Sequence, residues 1–363
     1  MHLSKTIVRA PLALLLATAS VLALACSGRQ QGGAGGDDIK LQGAGSTFVN
    51  PLLQKWVSEY GKLKPDVKID YQSIGSGGGI KQIKEQTIDF GASDAPMKDD
   101  DLKSAPGEIN HVPLVRGAVV ITYNLQGVAK PLRFSPDVIA DIFLGKIKKW
   151  DDPRIKADNP DVTLPSSDIT VVHRSDGSGT SAVFTDYLSK VSPEWKEKVG
   201  AGTSPNWPVG IGGKGNEGVT GQVKQTPNTI GYVELAYAVK NNLPVSPVKN
   251  RSGSFVEPSL DTVSAAAAES LPTTPDDLRV SITDPAGAGT YPISSYVYAL
   301  VYKDQRDATK GKTLVDFLWW GIHDGEGFAK ELQYAPLPAE TVKRAEGKIN
   351  LIGSGGKPLR AAQ

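Results

Sequence analysis

The residues most able to do chemistry are concentrated in one short run, "HRSDGSGTSAVF", at positions 173–184. The run combines an arginine, an aspartate, a histidine, two glycines and several hydroxyl groups, and it follows the apolar segment "ITVV". The apolar spacing after it predicts a helix that buries one face. Such a strand–loop–helix unit fits three kinds of site: a catalytic serine with its helpers, a cofactor loop, or a cradle for an anion.

The first possibility is a serine phosphatase or esterase, in which Ser178 attacks, His173 acts as the base and Asp176 orients the histidine. The nucleophile elbow G-x-S-x-G requires a glycine two positions before the serine, and Asp176 occupies that position. Nothing directs the ring of His173 toward Ser178, so we interpret His173 as a strand residue beside the loop. The sequence also lacks a metal-ligand cluster. We therefore assign no catalytic residue and no metal, and the enzyme is the least favoured alternative.

The second possibility is a dinucleotide site, because "GSGTSA" at 177–182 matches the pattern G-x-G-x-x-A after a strand. That fold needs an acidic residue about twenty positions further on, at the end of a second strand. Glu194 and Glu197 fall instead in "PEWKEKV", which is typical of a helix. We therefore predict no cofactor.

The third possibility is oxyanion binding. Arg174 presents a planar fork of donors that suits phosphate. Ser178 and Thr180 add hydroxyl groups, and the helix start adds backbone N–H groups that have no partner inside the helix. Asp176 is placed to hold the guanidinium. A surface Arg–Asp pair at a capped helix would also explain Asp176, but it would not explain why other loops repeat the plan.

Two further loops follow a predicted strand and precede a predicted helix, and both are rich in glycine and hydroxyl groups. We call "GAGSTF" at 43–48 the first loop, "GSGGG" at 75–79 the second loop and residues 173–180 the third loop. Serine and threonine are common helix caps, so one such loop is weak evidence for a ligand. Three in one chain favour a shared anion. A fourth loop at 210–216 contains Lys214, which faces either an anion or water, and we interpret this loop as structural or as part of the rim.

Asp94, in "DFGASDAP" at 89–96, is out of place near anion loops because a carboxylate repels an anion. It would be unremarkable as the N-cap of the next segment. In an anion site it makes sense when the anion carries a proton, as phosphate does at neutral pH and sulfate does not. A site built around one hydrogen bond can discriminate by roughly 10⁴–10⁵ against an analogue that lacks it.

The first 25 residues have a basic start and an apolar middle, with small residues before a cleavage site, which predicts a signal peptide at 1–25. Cys26 is the only cysteine. A leftover cysteine in an exported protein needs an explanation, and we favour lipidation of Cys26 over ordinary cleavage after Ala25. Residues 26–38 contain no large apolar residue and predict a flexible tether, so that folding begins near Ile39.

Removal of residues 1–25 takes away two basic and no acidic residues, which changes the net charge from +1 to −1. A near-neutral body argues against a nucleic-acid partner that depends on bulk positive charge. A folded part of more than about 300 residues normally forms more than one domain.

Seven separated motifs, running in order from about Leu41 to Pro338, resemble the periplasmic phosphate-binding proteins of ABC-type phosphate importers. The motifs are "GAGSTF", "IGSGGGIKQI", "DFGASDAP", "LGKIKKWDDPRI", "VVHRSDGSGTSAVFTDYL", "GGKGNEGV" and "IGYVELAYA". The resemblance implies an extracytoplasmic, periplasmic or cell-surface protein that binds inorganic phosphate, hands it to the membrane subunits of an ABC permease and acts as a monomer. It implies contacts to phosphate from Ser46, Thr47, Phe48, Ser76, Asp94, Arg174, Ser178, Gly179 and Thr180, with Asp176 pairing with the arginine. The main alternative is another tetrahedral oxyanion such as sulfate.

The resemblance also implies a two-lobed architecture of the type II periplasmic-binding-protein class, with the ligand cleft between lobes joined by crossover strands. Alternating strands and helices independently predict an α/β fold. The apolar runs at 111–124 and 291–304 are the candidate crossovers. We expect lobe one at 39–120 plus 291–363 and lobe two at 121–290. The amphipathic segment at 313–332 would close lobe one, with its two tryptophans in core or interlobe packing.

Overall fold

Strands and helices alternate along the folded part of the chain, which confirms the predicted α/β class. The structure is a computed structural model and describes residues 38–128 and 130–360. The strands are β1 Ile39–Gly45, β2 Val67–Ser73, β3 Phe90–Ser93, β4 Ile109–Asn124, β5 Thr170–Arg174, β6 Ile211–Gly213, β7 Thr229–Glu234, β8 Val248–Lys249, β9 Phe255–Val256, β10 Ser294–Tyr302, β11 Gly353–Ser354 and β12 Lys357–Pro358.

The helices fill the connections between these strands. They are α1 Asn50–Leu63, α2 Ser76–Lys84, α3 Asp99–Lys103, α4 Pro136–Phe143, α5 Pro153–Asp158, α6 Gly179–Val191, α7 Pro193–Lys198, α8 Gly215–Gln225, α9 Leu235–Lys240, α10 Leu260–Ser270, α11 Ala308–Ile322, α12 Gly327–Glu331 and α13 Ala339–Asn350. Short 3₁₀ turns lie at Leu271–Thr273 and Asp324–Glu326.

The main sheet has the strand order β2-β1-β3-β10-β4-β7-β5-β6. Strands β1, β2 and β3 run parallel to one another, and so do β5, β6 and β7. We call the first group with α1 and α2 lobe one, and the second group with α6 and α8 lobe two. The antiparallel strands β10 and β4 lie between them.

Strand β4 belongs to both lobes. Its residues 109–118 pair with β10, whereas residues 119–124 pair with β7. Strands β1 to β3 run in the same direction as β4, whereas β7 runs in the opposite direction. The carboxyl ends of both groups of strands therefore point toward the middle of β4. Ligands of open α/β sheets bind at the carboxyl ends of strands, and here both sets of ends meet.

The two long apolar runs form the predicted central strands. Strand β4 is buried along nearly its whole length, and β10 is buried from Ser294 to Val301. A proline cannot donate to a sheet ladder, and Pro113 lies where the pairing of β4 with β10 shifts register. The continuous burial of β4 follows from coverage on both faces.

The core of lobe one explains the amphipathic pattern after the first loop. Helix α1 buries the predicted positions Leu52, Leu53, Trp56 and Tyr60. Trp320 packs edge-on against Trp56, with 6.4 Å between ring centroids. Trp320 therefore belongs to the core of lobe one rather than to interlobe packing.

The first strand, β1, begins at Ile39. Cys26, the signal peptide at 1–25 and nearly all of the tether at 26–38 lie outside the described residues. Within residues 38–128 and 130–360, none of the helices has the length and apolar character needed to cross a bilayer.

Candidate functional site

The first three glycine loops converge between the lobes, because each follows a strand whose carboxyl end points at the middle of β4. The second and third loops touch backbone to backbone, with the N–H of Gly77 donating to the carbonyl of Gly177 over 2.8 Å. A Cβ on Gly77 would lie 2.9 Å from the Cα of Gly177. Glycine is needed here for close approach of two backbones.

Arg174 ends β5 with its side chain 1% exposed. Its Nε and Nη2 donate to the two carboxylate oxygens of Asp176 over 2.8 and 2.6 Å, and Nη1 donates to the hydroxyl of Thr180 over 3.3 Å. Burial opposes the charge of Arg174, but the bond to Asp176 outweighs it and raises the guanidinium pKa above its ordinary value. Burial likewise raises the pKa of Asp176, yet Arg174 brings it below the ordinary value. The predicted pair therefore fixes a charged, oriented guanidinium between the lobes.

Asp94 lies directly after β3 and is 1% exposed. One carboxylate oxygen accepts a short hydrogen bond from the hydroxyl of Ser46, and the other accepts from Thr180 over 3.2 Å. Burial raises the pKa of Asp94 and outweighs the opposing effects of the Ser46 bond and the Arg174 charge, so that the pKa is about 6. The carboxyl thus accepts from donors of the first and third loops, while the backbone N–H of Asp94 donates to the hydroxyl of Ser76 in the second loop over 3.3 Å. The carboxyl holds a proton more readily than an exposed aspartate.

The third loop ends in the N-terminus of α6. The hydroxyl of Ser178 accepts the N–H of Ser181 over 2.9 Å, so the capping role is present. The cap leaves the hydroxyl proton of Ser178 free to donate, and the N–H groups of Gly179 and Thr180 have no helical partner at this position. A Cβ on Gly179 would lie 2.2 Å from the Oγ of Ser76 and 2.7 Å from the carboxylate of Asp94. Both lobes therefore meet at this helix start.

Phe48 can offer an anion its backbone but not its ring. A Cβ on Gly117 would lie 2.5 Å from the ring of Phe48, which is fully buried in the core. The carbonyl of Phe48 accepts the hydroxyl of Tyr334 over 2.6 Å. Only the N–H of Phe48 is left to face an anion.

The nine predicted contact residues thus lie at one place, and their contact with a ligand stays a prediction. His173 lies in β5 and stacks on Trp207 with ring centroids 5.0 Å apart, and its Nδ1 is 3.0 Å from the carbonyl oxygen of Arg174. Burial lowers the pKa of His173. These contacts agree with its interpretation as a strand residue.

The fourth loop contacts the other loops through the two residues that follow Lys214, and these contacts are structural. Lys214 is exposed and precedes α8, but the N–H of Gly215 donates to Asp176 over 2.9 Å. Asn216 is fully buried and donates to the hydroxyls of Thr47 and Thr180 over 2.8 and 3.1 Å. The glycine-rich sequence that this loop shares with the other loops was the available signal that it lies near them.

A cavity of about 540 Å³ adjoins Asp94 between the lobes. Its walls come from α2, α6 and the segment 280–283, and they mix apolar side chains such as Ile80 and Val183 with charged ones such as Lys84 and Asp186. Asp94 therefore lies at the wall of this cavity.

Comparison with known proteins agrees with this geometry. A family model described as "PBP superfamily domain" matches residues 29–319. A phosphate-binding protein PstS from Xylella fastidiosa strain Temecula1 is 46% identical over 309 residues, which cover 85% of this chain and 84% of the relative. The PstS of Pasteurella multocida is 45% identical over 322 residues, covering 88% of this chain and 93% of the relative.

A solved structure shares the fold. It is a putative phosphate ABC transporter substrate-binding protein with bound phosphate from Clostridium perfringens. It matches with a TM-score of 0.61 at 19% identity and covers 82% of this chain and 100% of that one. This likeness confirms the two-lobed type II fold class and concerns the fold alone. On the identity and coverage of its curated relatives, the chain belongs to the PstS phosphate-binding proteins of the PBP superfamily.

Proposed function

We propose that this protein captures inorganic phosphate between its lobes outside the cytoplasm and delivers it to the membrane subunits of an ABC-type phosphate permease. The observation that carries the proposal is Asp94, a fully buried carboxyl that faces Arg174 and the N-terminus of α6. Arginine, helix N–H groups and hydroxyls attract an oxyanion. The carboxyl requires that this anion bring a proton.

Phosphate meets both demands at neutral pH. Arg174 and the N–H groups of Gly179 and Thr180 take the charged oxygens, and the ionised carboxylate of Asp94 accepts from the P–OH. Sulfate has no proton to offer and would place an oxygen against the carboxylate. The names of the PstS relatives support phosphate.

The enzyme alternative has little support, because the bonds of Ser178 and His173 are those of a helix cap and a stacked strand residue. The cavity beside Asp94 is nevertheless large enough for the organic part of a phosphate ester. A phosphate ester therefore tests the enzyme alternative, because a phosphatase would hydrolyse it and a binding protein would not.

Calorimetry of the phosphate-free protein with phosphate, sulfate and p-nitrophenyl phosphate separates the three candidates. The proposal expects tight binding of phosphate, much weaker binding of sulfate and no hydrolysis of the ester. Sulfate binding equal to phosphate would refute the choice of ligand, and release of p-nitrophenol would refute the binding-protein role.

The lobes that close on phosphate are residues 39–120 plus 291–363 and residues 121–290. The change of partner along β4, from β10 to β7 between Ala118 and Val119, supports a boundary near residue 120. The protein is exported through its signal peptide at 1–25, is held at a membrane by lipid on Cys26 and acts as a monomer.

A further inference from the structure

Asn216, at the start of α8, joins the lobes through its side-chain amide and its backbone N–H. Its backbone N–H and its Nδ2 donate to the hydroxyl oxygen of Thr47 in lobe one over 3.2 and 2.8 Å. The same Nδ2 donates to the hydroxyl of Thr180 in lobe two over 3.1 Å, while Oδ1 accepts the N–H of Glu234 over 2.9 Å. Because Oδ1 must face an N–H, the orientation of the amide is fixed.

These bonds decide what the hydroxyl of Thr47 can do. A hydroxyl has two acceptor lone pairs and one proton. Both lone pairs of Thr47 are used by donors of Asn216, so the hydroxyl acts toward any further partner as a donor. Thr47 follows Ser46 in the first loop, and the hydroxyl of Ser46 donates to the carboxylate of Asp94.

The hydroxyl of Thr180 is constrained in the same way. Its lone pairs accept from the Nη1 of Arg174 and the Nδ2 of Asn216, and its proton lies 3.2 Å, oxygen to oxygen, from the carboxylate of Asp94. One amide thus sets the proton direction of hydroxyls from both lobes.

We propose that Asn216 is a positioning residue for phosphate: it turns the hydroxyl proton of Thr47 toward the anion and holds the two lobes together once they have closed. This inference rests on the proposed phosphate site. Asn216 itself does not touch the ligand and acts through Thr47 and Thr180.

The proposal predicts an effect on phosphate release. The bonds between Asn216 and Thr47 cross from lobe two to lobe one, so they stabilise the arrangement in which the lobes are together. Their loss destabilises the closed complex and leaves the first encounter with phosphate unchanged. A substitution at this position removes the Nδ2 bond to Thr47 but keeps the backbone N–H bond. Loss of one ordinary hydrogen bond corresponds to an increase in the release rate of about fivefold.

The test compares N216A with the isosteric N216D by chasing labelled phosphate with unlabelled phosphate and by measuring the association rate. N216A is expected to release phosphate about fivefold faster with an unchanged association rate. N216D is expected to release it faster still, because its carboxylate accepts the proton of Thr47 and adds negative charge near the anion.

Asn124 supplies the matched control, because its Nδ2 donates to the carbonyls of Val223 and Lys224 at the far end of α8. N124A should loosen the helix and leave the release rate unchanged. Thermal unfolding of each variant, and the rates of the active fraction alone, separate loss of folded protein from loss of positioning.

Unchanged release in both Asn216 variants would overturn the inference. Equal acceleration in N216A and N216D would also overturn it, since Asn216 would then join the lobes without directing a proton. In either case, tight phosphate binding by the parent and its loss in R174A would leave the proposed function standing. A parent that does not bind phosphate would refute the proposed function instead.

Discussion

The raised pKa of Asp94 makes this residue one source of the pH dependence of stability in the phosphate-free protein. Burial holds the folded-state pKa of Asp94 at about 6, against an ordinary value of 3.8. At pH values between 3.8 and about 6, Asp94 keeps its proton in the folded protein but has lost it in the unfolded chain. The stabilisation by this proton is fully present below pH 4 or so, and it is lost as the pH rises through about 6.

The magnitude follows from the separation of the two pKa values. Each pKa unit corresponds to about 1.4 kcal/mol, so a shift of about two units corresponds to about 3 kcal/mol. Asp94 is 1% exposed, so solvent screens it little. In D94N the group is neutral at every pH. The free energy of unfolding of D94N, relative to the parent, should therefore rise by about 2 kcal/mol from pH 4 to pH 7, since part of the full effect is already present at pH 4.

Urea unfolding of both proteins at several pH values, after removal of phosphate, measures this difference. Phosphate must be absent because a ligand that binds only the native state stabilises it. D100N is the control, since the side chain of Asp100 is 98% exposed and its loss should give no such pH-dependent difference. A D94N-minus-parent difference that stays constant from pH 4 to pH 7 would refute the reasoning that Asp94 is a buried, destabilised carboxylate.

Three further predictions concern single positions. Arg174→Ala should weaken phosphate binding by roughly 10- to 150-fold in calorimetry, because it removes charge-assisted bonds worth about 1.5–3 kcal/mol; parent-like affinity would make Arg174 a mere partner of Asp176. Gly179→Ala should abolish tight binding, since its Cβ would lie 2.2 Å from the Oγ of Ser76, whereas Gly221→Ala, with no atom within 4 Å, should bind normally; equal affinities in calorimetry would contradict a site closed at Gly179. Cys26 should carry lipid at the N-terminus of the mature chain, and a mature chain that begins at Cys26 without lipid in mass spectra of membrane fractions would refute the anchor.

Local patterns predicted the parts of the fold whose causes are local. The apolar runs gave β4 and β10, and the spacing from Leu52 to Tyr60 gave the buried face of α1. The glycine loops predicted an anion site, because helix N-termini attract anions. Asp94 predicted that the anion carries a proton, because a carboxylate repels an anion without one. Contact with phosphate at each of these residues remains to be tested.

The rest depended on contacts between distant parts of the chain. No local signal distinguishes the buried Asn216 from the exposed Lys214 two positions earlier, because their environments are set by lobe one. The ring of Phe48 lies in the core because Gly117 and Tyr334 are beside it. The carboxyl ends of the strands of both lobes meet at the middle of β4, and this too follows only from the complete sheet order.

Competition between sulfate and labelled phosphate at neutral pH measures whether Asp94 selects a protonated oxyanion. In the parent, phosphate should stay bound until sulfate is in an excess on the order of 10⁴-fold or more. In D94N sulfate should compete at a much smaller excess, because the amide no longer repels a fully ionised anion. An identical sulfate requirement in parent and D94N would contradict the claim.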